Sequence, residues 1–262
     1  MENVDKKPIK VNIFRHGKAL YKQEETSLEE AEDLTEEGIE KVKLNAGKIA
    51  ELIDPEEEVA IWSSSKGRGL HTAKIIKEVL KEKGINLREN GIQVFNELTE
   101  VKNFSWQLFE PLISGGKVEF AGKKFSIDKE KTNPDDLNYE EYFINDAISK
   151  IPAKFKKELP EEYVKEIEGL EKFFDITKRI MEPLSRIKKL KDKSYRVIIV
   201  THDALTGFIA NIFSEGKKKS LDPGEFINLE MRGDKLVVTN VGELEKGKNN
   251  LDVIEEFKKS NS

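Results

Sequence analysis

The fold is indicated first by the stretch Val11-Asn12-Ile13-Phe14-Arg15-His16-Gly17. Its apolar beginning predicts a short buried strand, and the chain then changes abruptly to a guanidinium, an imidazole and a glycine. Ligands of α/β sheets bind beyond the carboxyl ends of strands. Arg15 offers a fork for phosphate oxygens, His16 a nucleophile or base, and Gly17 space for a ligand near the backbone. Taken alone, the tripeptide is explained equally well by a histidine that merely ends a strand.

Two later segments repeat this arrangement of a strand followed by polar residues. His202, one of only three histidines, follows the apolar run at 197–201. Residues 59–62 predict another strand, and the serines and glycines after it lead into a helix. Arg68 then lies beside a helix N-terminus, a position that attracts anions.

Strand and helix signals alternate along the whole chain, which favours an α/β sandwich. An amphipathic helix is predicted over about 35–52, with Thr35 as its N-cap. The other predicted elements are helices at 70–81, 163–187 and 204–213, strands at 92–95, 226–231 and 235–241, and a hairpin of 118–120 with 124–127. We expect one domain over 1–262, a three-layer α/β/α sandwich with a mostly parallel central sheet. An inserted, mostly helical segment at about 106–190 would either cap the active-site end of the sheet or be an ordinary structural excursion.

Composition fits an enzyme of this kind and disfavours several other classes. The 262 residues are enough to bury a substantial core, and 50 acidic against 45 basic residues give a net charge of −5. A nucleic-acid footprint would need a basic excess. The chain has no cysteine for disulfides or thiolate metal sites. No apolar run approaches the ~20 residues that span a bilayer, and the first fourteen residues lack the apolar core of a signal peptide. We expect a cytoplasmic protein with no nucleic-acid or membrane partner, and the oligomeric state stays open.

Taken together, the ordered motifs resemble the histidine phosphatase superfamily, which also contains the cofactor-dependent phosphoglycerate mutases. The matching pieces are Arg15-His16-Gly17, Asp33-Leu34-Thr35-Glu36-Glu37-Gly38, Ser63-Ser64 with Arg68 and Thr72-Ala73, Leu98-Thr99-Glu100 with Trp106, and Val200-Thr201-His202. About 107–194 is left unmatched. The resemblance implies hydrolysis of a small phosphorylated substrate through a phosphohistidine, with neither metal nor cofactor.

The resemblance also implies a role for each matched side chain. Arg15 and Arg68 would clamp the phosphate oxygens, and Gly17 would leave room for the group. His16 would attack phosphorus, while His202 would donate to a phosphoryl oxygen. The remaining role, protonation of the leaving group, is expected of Glu100.

Several of these assignments leave alternatives open. Glu97 and Asp203 compete with Glu100 as proton donor, although Asp203 is better suited to cap the helix that follows it. One of the serines at 63–65 could bind phosphate, but a strand-to-helix turn favours serine in any case. His71 fits packing better than catalysis. Histidines with a carboxylate could hold zinc, yet the neighbouring arginines would repel the cation.

Three functions remain compatible with the sequence. The mutases continue the first motif with Ser-x-Trp-Asn, whereas this chain has Lys18-Ala19-Leu20-Tyr21, so a phosphatase is favoured over mutase-type phosphoryl transfer. Lys18 and Lys22 would either favour a substrate with a second anionic group or simply be solvated. Departures at Gly67 and Phe104 keep a third interpretation open, a non-catalytic phosphate-binding or interaction protein on the same fold.

Overall fold

Two compact units make up the chain, one formed by residues 1–99 and 180–262 and the other by residues 100–179. The residues that the computed structural model describes are 9–20, 33–99, 116–120, 122–127, 157, 159–168, 179, 182–183, 185–187, 195–203, 205–207, 221–232, 235–241 and 244–245. The helices predicted at 163–187 and 204–213 fall only partly within them. That the insertion caps the site stays a prediction.

The first unit is built around a mixed sheet of seven strands. The strands described along the chain are β1 (Ile9–Arg15), β2 (Glu58–Ser63), β3 (Leu87–Val94), β4 (Gly116–Phe120), β5 (Lys123–Ile127), β6 (Tyr195–Thr201), β7 (Phe226–Arg232), β8 (Lys235–Val241) and β9 (Leu244–Glu245). Their order in this sheet is β3-β2-β6-β1-β7-β8-β9. The strands β3, β2, β6 and β1 are parallel neighbours, and β7 joins β1 antiparallel. The expected α/β class, with a sheet that is mostly parallel at its centre, is confirmed.

Both faces of the central strands are buried. One face packs against α1 (Glu36–Glu51) and α2 (Gly67–Glu82), and Phe14 and Val200 belong to this core. Side chains of the opposite face, such as Ile13 and Ile199, are at most 1% exposed. A sheet that is apolar on both faces is typical of the middle layer of an α/β protein. Because successive Cβ atoms of a strand point to opposite faces, neighbouring residues such as Ile13 and Phe14 are buried on different sides of the sheet.

Helix α1 begins as predicted and approaches the loop after β1 very closely. Thr35 is the N-cap, and its Oγ1 accepts a hydrogen bond from the Gly38 N–H at 3.0 Å. The Thr35 N–H also donates to the Lys18 carbonyl at 2.9 Å. A Cβ on Gly38 would lie 2.4 Å from that same carbonyl oxygen. Only glycine therefore allows the helix N-terminus to lie directly behind the residues that follow β1.

Two predicted boundaries were wrong, and both lie close to a glycine. Helix α2 begins at Gly67 rather than near residue 70, which places Arg68 inside its first turn. Strand β3 begins at Leu87 rather than 92. Gly91 has a φ of +65°, and the pairing of β3 with β2 shifts register between Val59 and Ile61. A bulge of this kind interrupts the ladder without ending the strand.

A buried network of charges lies near the amino ends of β2 and β6, at the opposite edge of the sheet from the carboxyl ends of β1, β2 and β6. Arg196, 3% exposed, donates from Nε to Glu57 Oε2 at 2.8 Å and from Nη1 to Asn12 Oδ1 at 3.0 Å. Its Nη2 donates to the Leu52 carbonyl at 2.6 Å. Glu57 is itself 1% exposed, and its Oε1 lies 2.6 Å from Lys10 Nζ. The network joins the beginnings of β6 and β2 to β1 and to the end of α1.

In the second unit, β4 and β5 form the expected hairpin, with Gly122 at a φ of +73° in its turn. Helix α3 (Glu161–Glu168) packs against the hairpin through an aromatic contact, in which the ring centroids of Phe125 and Tyr163 are 5.0 Å apart. Lys123 Nζ also lies 3.1 Å from Glu162 Oε1. Across the described parts of both units, no helix combines the length and apolar character that crossing a membrane requires.

Candidate active site

Three neighbouring parallel strands bring the predicted site residues together at one edge of the sheet. His16, Ser64 and His202 directly follow the carboxyl ends of β1, β2 and β6. The His16 N–H donates to the Thr201 carbonyl at 3.0 Å, and the Ser64 N–H donates to the Val200 carbonyl at 3.0 Å. These backbone bonds continue the ladder by one step beyond each strand and so hold the polar residues in register.

The hydrogen bonds of His16 determine which ring nitrogen is available for chemistry. Nδ1 lies 2.7 Å from the Gly17 carbonyl oxygen, which can only accept, so Nδ1 carries the proton. In the neutral ring Nε2 then carries the lone pair, and Arg68 Nε donates a hydrogen bond to it at 3.2 Å. The side chain is 2% exposed. Burial, followed by the charge of Arg68, lowers the pKa of His16 to about 3, against the opposing Gly17 hydrogen bond. A neutral imidazole with its lone pair on Nε2 is the form that a nucleophile requires.

Acidification is therefore expected to destabilise the protein through His16. The unfolded chain takes up a proton at a pKa near 6.5, whereas the folded protein resists it down to about pH 3. Because the unfolded state binds more protons in this window, the free energy of unfolding decreases as the pH falls, by about 2 kcal/mol between pH 7 and pH 5. Urea unfolding of the native protein and of His16→Gln at pH 7 and pH 5 gives the free energy of unfolding at each pH. If this free energy falls equally in the two proteins between pH 7 and pH 5, the assignment is contradicted.

The second imidazole lies beside the first. The ring centroids of His16 and His202 are 5.0 Å apart, at an interplanar angle of 59°. His202 is 1% exposed, and its Nε2 lies 2.9 Å from Ser64 Oγ. The structure thus brings the two predicted histidines together, and it adds a serine hydroxyl that the sequence only suggested. Ser65, by contrast, is exposed.

The two arginines are held differently. Arg68, 8% exposed, contacts His16 from the first turn of α2. Arg15 uses Nη1 for two contacts, an ion pair with Asp203 Oδ1 at 3.0 Å and a hydrogen bond to the Leu221 carbonyl. Its Nε is buried and has no hydrogen-bond partner among the described residues. A buried donor of this kind suits an anionic ligand, since leaving it unpaired costs about 1–3 kcal/mol. The ion pair with Arg15 also gives Asp203 a role that the sequence did not indicate.

Of the three candidates for the proton donor, Glu97 and Asp203 lie among the described residues and Glu100 does not. Glu100, Trp106 and Phe104 lie outside the described residues. Glu97 is described, on a short 3₁₀ helix (Asn96–Leu98) that follows β3. Thr201 Oγ1 donates to the Leu98 carbonyl at 2.7 Å, which ties this helix to the end of β6 beside His202. The assignment of Glu100 stays a prediction. The alternative, Glu97, lies on the 3₁₀ helix that is bonded to the carboxyl end of β6.

Gly17, which was expected to leave room for the phosphoryl group, also packs closely against helix α1. A Cβ there would lie 3.0 Å from Val42 Cγ2 and 3.1 Å from the Gly38 carbonyl oxygen, so glycine is needed on the side that faces α1. The Gly17 N–H donates to Thr72 Oγ1 at 3.0 Å, and Thr72 Oγ1 donates to the Arg68 carbonyl at 2.8 Å. Thr72, which the sequence indicated only as part of a motif, therefore links the His16 loop to the helix turn that carries Arg68.

Other residues singled out in the sequence have partners of their own. His71 Nδ1 forms a hydrogen-bonded pair with Asp33 Oδ1, joining α2 to the segment before α1. Although burial alone would raise the pKa of Asp33, the Leu34 N–H and His71 together lower it. Lys18, which was considered for a second anionic group, pairs with Glu37 at 2.6 Å on the surface. Lys22 lies outside the described residues.

Solved structures of other proteins share this fold across most or all of the chain. A phosphoglycerate mutase from Bacillus anthracis str. Sterne matches 100% of this chain with 100% of its own, at 15% identity and a TM-score of 0.58. The chain has the phosphoglycerate mutase-like fold that the motifs predicted. Mycobacterial hydrolase 1 matches 91% of this chain with 100% of its own, at 13% identity and a TM-score of 0.51. Neither a protein-family model nor a curated protein sequence matches the chain. At identities this low the similarity shows the fold alone, and the activity has to be argued from the site.

Proposed function

We propose that this protein hydrolyses phosphomonoesters through a phosphohistidine formed on His16. The observation that carries the proposal is the state of the His16 ring, which is neutral, buried and protonated on Nδ1, with its Nε2 lone pair beside the Arg68 guanidinium. A neutral nucleophile that stands next to a fixed cation suits attack on a dianionic phosphoryl group. A surface histidine at a strand end would have neither the burial nor the cation.

The reaction proceeds in two displacements. Arg15 and Arg68 bind the phosphoryl oxygens, the first through its buried Nε, and His202 donates to one of them. His16 Nε2 attacks phosphorus as the ester P–O bond breaks, and a carboxylic acid protonates the departing alkoxide. The same carboxylate then takes a proton from water, which attacks phosphorus and breaks the N–P bond. The products are an alcohol and inorganic phosphate, and His16 returns to its neutral form.

The proton donor in this scheme is Glu100, with Glu97 and Asp203 as alternatives. No cofactor or metal takes part. Among the described residues, no group of three His, Asp or Glu side chains is arranged to hold a metal ion. The substrate is a small phosphorylated molecule, and hydrolysis is favoured over mutase-type transfer by Lys18-Ala19-Leu20-Tyr21. We place the activity in the cytoplasm, as the composition favours.

The test is hydrolysis of an aryl phosphate in excess EDTA, combined with trapping of the intermediate. We expect turnover that survives chelation, competition by vanadate, and a base-stable, acid-labile phosphate on the peptide that contains His16. Phosphate trapped on another residue would contradict the mechanism. Tight binding of vanadate without hydrolysis of any ester would favour the non-catalytic phosphate-binding protein instead.

A further inference from the structure

Ser64 is the site residue whose role is least explained by the local fold. It follows β2 and is completely buried, and its Oγ lies 2.9 Å from His202 Nε2. Serine commonly stands between a strand and a helix because it caps the helix. That explanation does not apply here, since the N-cap of α2 is Lys66 rather than Ser64. The hydroxyl is instead directed to an imidazole that belongs to another strand.

The neighbouring helix leaves space for this hydroxyl through a glycine. A Cβ built on Gly69 would lie 2.2 Å from Ser64 Oγ, which is far inside contact distance. The same Cβ would lie 3.5 Å from Ser64 Cβ, an ordinary contact. The conflict is therefore with the hydroxyl oxygen alone. Glycine within the first turn of a helix costs about 1 kcal/mol relative to alanine, so its presence at this point requires a reason.

We propose that Ser64 is a positioning residue that orients the His202 imidazole, and that Gly69 is required because it leaves room for the Ser64 hydroxyl. The proposal rests on the phosphoryl transfer inferred above, in which His202 donates to a phosphoryl oxygen. An imidazole turns about its χ2 bond unless a ring nitrogen is held. The hydrogen bond between Ser64 Oγ and His202 Nε2 holds that nitrogen and keeps the ring centroid 5.0 Å from that of His16. Catalytic groups fixed in this way need no reorientation when the substrate binds.

Removal of the hydroxyl is expected to affect the chemical step more than binding. In Ser64→Ala, Arg15 and Arg68 still bind the phosphate, so KM for an aryl phosphate should stay within about twofold. The value of kcat should fall by about tenfold to a hundredfold, because a reacting group is no longer held in place. A role limited to packing would leave both constants unchanged in the folded protein, and that result would overturn the proposal.

Gly69 provides an independent test that leaves the serine in the chain. Gly69→Ala should displace the Ser64 hydroxyl and lower kcat about as much as Ser64→Ala does. The double variant should be no worse than Ser64→Ala alone, since the added methyl then meets only Ser63 Oγ and the Cβ of residue 64, both at the ordinary contact distance of 3.5 Å. Gly47→Ala is the matched control, because this glycine is also helical and its Cβ would meet only Lys83 Cε at 4.0 Å. If Gly69→Ala is as harmless as Gly47→Ala, the glycine has no such role.

A spectroscopic measurement separates this proposal from the proposed function. The chain has only three histidines, so nuclear magnetic resonance of protein labelled on the histidine ring nitrogens can be assigned with single variants. Ser64→Ala should shift the ring nitrogens of His202 and leave those of His71 unchanged. If the native protein hydrolyses no ester, the proposed activity fails while this readout still tests the hydrogen bond. An unchanged His202 spectrum in Ser64→Ala would overturn the positioning role, whatever the activity.

Discussion

Replacement of His16 with alanine is expected to lower kcat for an aryl phosphate by about 10⁴-fold or more, because no other group can form the covalent intermediate. The ring is neutral, its Nε2 carries the lone pair, and Arg68 lies 3.2 Å from that nitrogen. His202 has a different role in the proposed reaction, in which it donates to a phosphoryl oxygen. Steady-state hydrolysis in EDTA measures the loss, and the labile phosphate should disappear from the same peptide.

His71→Ala is the matched control for this experiment. It also removes an imidazole, but the ring of His71 pairs with Asp33 Oδ1 and has no part in the proposed mechanism. The control should retain near-native kcat. Activity retained by His16→Ala would refute the nucleophile, whereas equal loss in both variants would point to damage to the fold. Binding of vanadate by His16→Ala, through Arg15 and Arg68, would show that the anion site survives without the nucleophile.

Glu57→Gln is expected to lower the free energy of unfolding by about 3–5 kcal/mol, the usual cost of leaving one charge of a buried pair uncompensated. Arg196 is 3% exposed and Glu57 is 1% exposed, so water cannot replace the missing carboxylate. The Asn12 and Leu52 oxygens would still accept from Arg196, but they carry no charge. Urea unfolding at constant pH gives the difference. Activity per folded molecule should be unchanged, because the network lies at the opposite end of the strands from His16.

Two further variants show whether the loss comes from the buried charge. Glu57→Leu combined with Arg196→Met removes both charges and should recover most of the stability, as apolar replacements of buried pairs commonly do. Glu40→Gln breaks a surface pair of similar length, in which Lys43 Nζ lies 2.9 Å from Glu40 Oε1, and should change nothing measurable. A Glu57→Gln protein as stable as the native one would mean that the pair contributes little to the folded state.

Much of the layout followed from local patterns in the sequence. The apolar runs before His16 and His202 are strands, as predicted, because a short continuous apolar run is typical of a strand that is buried on both faces. Helix α1 with its Thr35 cap was predicted nearly to the residue, because its stabilising contacts are local. The motifs also predicted that residues from β1, β2 and β6 lie together, since parallel strands present their carboxyl ends at one edge.

Other features depend on contacts between distant segments. The start of α2 at Gly67 was not predicted, because glycine disfavours a helix locally and the close approach of Gly69 to Ser64 exists only in the folded chain. The bulge at Gly91 likewise depends on the partner strand β2. A charged residue at the start of a strand gives no local sign of burial, so the pairing of Arg196 with Glu57, 139 positions away, was not predicted.

The sequence by itself determined the fold class, because apolar runs that alternate with amphipathic helices are local patterns, and the resemblance of its motifs singled out His16, His202, Arg15 and Arg68 as a candidate phosphate site. Tertiary structure alone decided the protonation of His16 on Nδ1, the hydrogen bond between Ser64 and His202, and the pairing of Arg15 with Asp203. Each of these depends on which atoms burial brings within hydrogen-bonding distance. Because a buried group must find its partner within the protein, the packed structure, rather than the order of residues, sets the chemistry of the site.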